Sequence, residues 1–205
     1  MSINRLNFQT INSLRKEFGK VASFSIWPEI DNKNMKLVSR SIEDRVLDFN
    51  PSVVLLALNP TVDTTNIDDW CAFHAYYPYS KTGRMAKWFK YPPFHGAYMT
   101  DIIKYIIETD SRKVMKMWKS DPVLRCTAEK DFIREMEVLG QDDPAIFLLG
   151  GNVSAIWEEC KILKSKYRAK KVWHYSHQGK NEDMIKSWDF ASKELGLGGY
   201  NPPIS

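Results

Sequence analysis

The sequence predicts an α/β fold, a three-layer α/β/α sandwich around a central four-stranded, mainly parallel sheet, and three observations carry that prediction. Short unbroken apolar runs, Val53–Leu58 and Ala145–Leu149 above all, have the length and composition of strands buried on both faces. The stretches between such runs carry apolar residues at a spacing near that of an α-helix. Strands and helices alternate along the chain, the order that builds a parallel sheet covered by helices on both sides.

In chain order, Leu6, Phe8, Ile11, Leu14 and Phe18 recur at helical spacing before Gly19, which predicts a first helix over Leu6–Phe18. Val21–Trp27 is apolar or alternating and stops at Pro28. Ser41-Ile42-Glu43-Asp44 has the form of a capping box and predicts a short helix to about Leu47. The run from Val53 ends abruptly on Asn59-Pro60, because proline has no N–H with which to continue a ladder. Thr61–Ser80 is a long polar and aromatic loop, holding Trp70, Phe73, His74, Tyr76, Tyr77 and Tyr79. A loop of that length tends to be functional, although its aromatics could equally form a lid over the core.

Lys81–Lys90 is an amphipathic helix stopped by Pro92-Pro93, and Gly96 leads into a second buried strand with Thr100-Asp101 near its end. Asp110–Leu139 is helical, broken at Pro122, and carries Arg112, Lys113, Lys116, Lys119, Arg125, Lys130 and Arg134. Such a basic face is commonly a solvated surface and in some proteins grips phosphate. Asp143-Pro144 is a turn, Ala145–Leu149 a third strand, and Gly150-Gly151-Asn152 a glycine-rich exit into a helix to about Lys164. Lys170–Ser176 is the fourth strand, and Asn181–Leu195 the last helix before a Gly/Pro tail.

Composition narrows the function classes. At 205 residues and 43% hydrophobic, the chain suits one domain with a sizeable core. A net charge of +4, from 29 basic and 25 acidic residues, permits nucleic acid without demanding it. No apolar stretch reaches membrane-spanning length, and Met1-Ser2-Ile3-Asn4-Arg5 leads into mixed polar sequence, so a cytoplasmic protein without membrane contact is expected. Cys71, Cys126 and Cys160 are scattered, lack any Cys-x-x-Cys, and are expected to be reduced packing residues; no metal site is expected.

In a parallel sheet the four strand endings, Asn59-Pro60-Thr61, Thr100-Asp101, Gly150-Gly151-Asn152 and His174-Tyr175-Ser176-His177, share one edge and can line one crevice. Gly150-Gly151-Asn152 is too short for a dinucleotide fingerprint and lacks a P-loop lysine, so tight packing and a helix cap compete there with phosphate contact.

The order and placement of these endings resemble the uracil-DNA glycosylase superfamily over most of the chain from Val53 onward. Ala57-Leu58-Asn59-Pro60-Thr61 looks like its first motif, closest to the Asn-Pro version of the mismatch-specific branch. Tyr98–Ile103 resembles the base-reading strand, Phe147–Asn152 the strand that ends in glycine and enters a helix, and His174-Tyr175-Ser176 the motif that is His-Pro-Ser in many members. The resemblance implies a uracil-DNA glycosylase-like fold in which Asn59 holds the attacking water and His174 donates to the departing base. It further implies substrate contacts from Leu58, Pro60, Phe73, Asp101, Gly150, Asn152 and Ser176, with Phe73 stacking on the extruded base. His177, Gln178 and Lys180 would belong to a loop that enters the DNA minor groove. A DNA partner, single- or double-stranded, damaged or uracil-containing, follows, with no cofactor and a monomeric state expected. Two residues depart from the pattern. Asp101 stands where uracil-specific members have Asn, and an ionised carboxylate accepts from a base N–H but cannot donate to uracil O4. Tyr175 replaces the proline of the last motif. Three scattered cysteines exclude the iron–sulfur branches.

The residue types suit the reaction. Breaking an N-glycosidic bond builds negative charge on the base and positive charge on the sugar, which calls for a donor at a base oxygen and a held water near C1′. The expected function is therefore hydrolysis of the N-glycosidic bond of uracil or a related base in DNA, as in base excision repair. Two alternatives stand beside it: a catalytically weak or inactive base- or DNA-binding relative, and a hydrolase of small nucleosides or nucleotides. Without their shared placement, His174 would read as a core-edge histidine and Phe73 as a buried lid aromatic.

Overall fold

The computed structural model describes residues 6–26, 47–74, 82–176 and 178–202, the side chains of 82–84 excepted. The expected helix over Ser41–Leu47 therefore lies almost wholly outside the described residues, as do Tyr76, Tyr77, Tyr79 and His177. The strands are β1 (Ala22–Phe24), β2 (Asn50–Ala57), β3 (Ala97–Asp101), β4 (Ala145–Leu149) and β5 (Ala169–Val172). The helices are α1 (Phe8–Phe18), α2 (Thr82–Trp88), α3 (Ser111–Ser120), α4 (Pro122–Leu139), α5 (Gly151–Glu159), α6 (Lys161–Lys166) and α7 (Asn181–Glu194).

The sheet has five strands, not four, in the order β1-β3-β2-β4-β5. β2, β3, β4 and β5 are mutually parallel, while β1 runs antiparallel along the outer edge of β3, pairing Ala22 with Thr100 and Phe24 with Tyr98. The extra strand arises from the Val21–Trp27 stretch. Only three of its residues pair, too few for periodicity to separate a strand from a buried connection. β5 also stops four residues short of the expected Ser176, because Val172 pairs with Leu149, the last residue of β4. Beyond that pair Gly150 begins the turn into α5, and Trp173 has no ladder to join. The expected helix to Lys164 is two helices that break at Cys160, whose backbone leaves the helical region while its side chain is buried.

β2 explains why an unbroken apolar run marks the centre of the sheet. Val54 and Leu56 join a cluster with Ile11 and Leu14 of α1, Trp118 of α3, Phe132 of α4 and Ile156 of α5. Val53, Leu55 and Ala57 face the opposite way, into a cluster with Met85 and Trp88 of α2, Phe94, and Trp188 of α7. Apolar neighbours on both faces leave no polar alternation. The helix boundaries follow local chemistry: Asp110 and Asp121 cap α3 and α4 through their carboxylates, Pro122 stands in the first turn of α4, and Gly140 ends it at φ 70°. Among the described residues no helix is long and apolar enough to cross a membrane.

Candidate functional site

The chain passes from β2 to β3 on one side, then crosses to β4 on the other, so the carboxyl end of β2 is a topological switch point, where open α/β sheets hold ligands. A crevice of about 570 Å³ opens there. It is lined by Ala57–Val62 after β2, Asp101 at the end of β3, Leu149–Val153 at the junction of β4 and α5, and His174–Ser176 after β5. Ala72 and Phe73 of the long loop and Glu108, Thr109 and Ser111 ahead of α3 complete it.

Asn59 is fixed by its own amide. Its Nδ2 lies 2.9 Å from the Pro60 carbonyl, 3.0 Å from that of Ile106 and 2.9 Å from that of Glu108. Three carbonyl neighbours identify the nitrogen side of the group, so Oδ1, to which no described residue donates, is its available acceptor. The same bonds stitch the 102–110 segment along Leu58–Pro60, together with Ile103 N–H to Leu58 O at 3.0 Å and Glu108 N–H to Pro60 O at 3.3 Å.

Across the crevice, His174 is set by its neighbours in sequence. The Ser176 backbone N–H donates to His174 Nδ1 at 3.2 Å, and the Ser176 hydroxyl lies 2.7 Å from the same nitrogen. A backbone N–H can only donate, so Nδ1 is an acceptor and the ring proton sits on Nε2, for which no described residue provides an acceptor. Burial pushes the imidazole pKa down to about 4, keeping the ring neutral. The backbone ahead of it is held by α7, since Trp188 Nε1 donates to the Trp173 carbonyl at 3.1 Å and Trp173 N–H donates to Ser187 Oγ at 3.3 Å. Gly150 lies against His174 and is required by its backbone rather than by space. At φ 100° and ψ −179° it occupies a conformation open essentially to glycine, and a Cβ there would stand 3.4 Å from His174 Cβ.

Asp101 is buried, and no described residue donates to its carboxyl. Burial raises its pKa to about 7, Lys104 opposes the shift, and Glu135 adds to it. Both neighbours belong to a polar network beneath the crevice floor. Lys104 Nζ contacts Glu135 Oε2 at 2.6 Å, with both side chains fully buried, and also donates to Thr100 Oγ1 and the Asp101 carbonyl. Tyr98 and Thr100 donate hydroxyl hydrogens to Glu135 Oε1. On the crevice side, Tyr175 stacks on His174 with ring centroids 4.1 Å apart, and burial, with Asp101 adding, pushes its phenol up to about 12.

Phe73 reaches the crevice because the loop behind it is pinned to β1. Buried Trp70, at φ 68°, donates its backbone N–H to Gly19 O at 2.6 Å and packs its indole on Phe24, while Ser23 Oγ donates to Trp70 O at 2.5 Å. His74 adds a bond from Nε2 to Phe24 O at 3.0 Å.

The crevice thus brings together Leu58, Asn59, Pro60, Phe73, Asp101, Gly150, Asn152, His174 and Ser176 of the sequence-predicted set. Gln178 and Lys180 are exposed on the approach to α7 and do not line it, and His177 lies outside the described residues. Glu108 and Ser111 escape sequence reasoning. Glu108 accepts from Asp110 N–H at 2.9 Å, the largest of the causes that lower its carboxyl pKa, and it pairs with Lys113 at 3.3 Å. The only signal for them is the Asp110 cap, which puts the start of α3 at the carboxyl edge of the sheet. Of the three cysteines, Cys160 is buried and Cys71 half-buried, but Cys126 is exposed rather than packed. Among the described residues no group of three or more His, Cys, Asp or Glu side chains is placed to hold a metal ion. No protein-family model matches this chain, and no curated protein matches it.

Proposed function

We propose that the protein is a DNA N-glycosylase that hydrolyses the bond between deoxyribose and an extruded uracil or related base. One observation carries the reading: a single crevice offers the anchored Asn59 with its acceptor Oδ1 and the neutral His174 with its Nε2–H donor. A base must leave the stack to enter such a site, and a crevice of about 570 Å³ lies in the range of small-molecule pockets. Phe73 offers a ring for the base to stack on, an interaction worth about 1–3 kcal/mol against the unstacking cost. As the C1′–N bond breaks, its electron pair passes to the base, and His174 Nε2–H stabilises the charge on a base oxygen. A water held at Asn59 Oδ1 adds to C1′ as a hydroxyl group and its other proton ends on the base, so the products are an abasic site and the free base.

Asp101 favours a second reading, a base-binding protein without turnover, because its ionised form would repel the O4 of uracil. Single-turnover assays on single- and double-stranded oligonucleotides, each carrying one modified or mispaired base, separate the two. The N-glycosylase yields alkali-labile abasic sites on at least one base. Tight base-dependent binding with no abasic product from any of them overturns hydrolysis in favour of the second reading.

A further inference from the structure

The basic face that the crevice leaves unused is on α3. Its ten residues include Arg112, Lys113, Lys116 and Lys119 and no acidic residue, the carboxylates standing only at its two caps, Asp110 and Asp121. Arg112, Lys116 and Lys119 recur at i, i+4 and i+7, so they share one side of the helix over about 10 Å of its axis. That side is concave: Arg112, Met115, Lys116, Lys119 and Ser120 line an open depression of about 660 Å³ whose remaining wall is Asn152. Asn152 also lines the crevice, so the two hollows meet there, beside the first turn of α5, whose N-cap Gly150 has no side chain to satisfy the free N–H groups.

Several cations elsewhere on the surface are tied to acidic side chains. Arg134 is tied to Glu17, Arg168 to Asp143, Lys170 to Glu194 and Lys193 to Asp189. Arg125 caps the far end of α3 by donating to the carbonyls of Trp118 and Lys119. Lys116 and Lys119 are exposed and have no acidic partner among the described residues, and Arg112 is held over the hollow by Asp110, its Nε and Nη2 donating to the two carboxylate oxygens at 3.0 and 2.9 Å. Trp118, buried under this surface, bonds Glu159 of α5 at 2.8 Å, so helix and crevice wall are coupled.

We propose that this face of α3 is the track for the sugar–phosphate backbone of the DNA strand whose base enters the crevice, with Lys116 and Lys119 contacting successive phosphates and Asn152 at the point where the strand turns in. The proposal rests on the reading of the crevice as a base site. It puts the strand on the α3 side, opposite in sequence to the 177–180 loop that the family resemblance implies.

The test is equilibrium binding of the full chain to a fluorescent single-stranded oligonucleotide of normal bases, across a series of NaCl concentrations. Lys116→Glu/Lys119→Glu should weaken binding by more than 10-fold at low salt and lower the slope of log K against log salt by about 1.4, the value for two lost phosphate contacts on a single strand. A matched reversal on exposed residues of β5 and α7, Lys171→Glu/Lys186→Glu, should leave the slope at the wild-type value. Equal losses in the two double variants overturn the track, since net charge alone would then explain them. Wild-type binding to anionic phospholipid vesicles or polyglutamate, but not to DNA, overturns it in favour of another polyanion. Because the probe contains no cleavable base, the outcomes separate from the function above. A selective loss of binding in a protein that forms no abasic site keeps the track and removes the glycosylase, whereas abasic-site formation with unaltered binding does the reverse.

Discussion

His174 and Asp101 face the same crevice with opposite titration behaviour. Burial holds the imidazole near 4, so the ring is neutral throughout the neutral range and takes its proton only in acid. The Asp101 carboxyl is raised to about 7, so it gains charge as pH rises through neutrality. If neutral His174 donates to the leaving base and neutral Asp101 is needed to read uracil, single-turnover uracil cleavage should follow a bell bounded near those two values. Asp101→Asn should raise activity above neutral pH and remove the alkaline limb while leaving the acid limb, and a pH–rate profile checks it. Loss of cleavage of every base would instead assign Asp101 to water activation or loop support. His174→Ala should lower cleavage by on the order of 10²-fold with little change in DNA affinity. The Asp101 shift is also a stability statement. A carboxyl raised above its ordinary 3.8 favours the folded state when protonated, so its contribution is complete in acid and disappears as pH rises through about 7. Urea unfolding should show wild type losing stability relative to Asp101→Asn across that window and levelling off above it.

At the scale of elements, two junctions place the chemistry. Gly150 joins β4 to α5 at φ 100° and lies against His174. Gly150→Ala should cost about 1–3 kcal/mol of stability from backbone strain at φ 100° and reduce cleavage further than that loss explains if relief of the strain shifts the turn that lines the crevice beside His174. Urea denaturation alongside single-turnover rates separates the two effects. The loop that carries Phe73 is held by the packing of the buried Trp70 side chain together with bonds to Gly19, Ser23 and Phe24, rather than by regular structure. Trp70→Ala removes the packing and leaves those bonds, so it should cost about 3–5 kcal/mol and loosen Phe73, measured as weaker binding of base-containing oligonucleotides beyond the loss in stability.

Across the whole molecule, a fully buried ion pair ties the site to the core. Glu135 of α4 takes the charge of Lys104 and the hydroxyls of Tyr98 and Thr100, directly behind the strand that ends in Asp101. Removing one partner leaves a buried charge, so Glu135→Leu should destabilise by about 3–5 kcal/mol, and Lys104→Met should restore part of that loss when combined with it, as equilibrium unfolding would show. The same scale shows what sequence alone could determine. Strands buried on both faces leave continuous apolar runs, so β2 and β4 are readable without partners, and a parallel order then puts Asn59, Asp101, Gly150 and His174 on one edge. Helix starts are equally local, as Asp110 and the Asp121-Pro122 pair show. Only tertiary structure decided the rest. β1 is three residues long and exists because β3 offers it an edge. Asn59 fixes its orientation on carbonyls that follow β3, Glu108 arrives at the crevice through those bonds, and Lys104, in the segment after β3, meets Glu135 of α4. Such contacts join residues far apart in the chain, where no period or spacing records them, and each forms only once the sheet has brought its ends together.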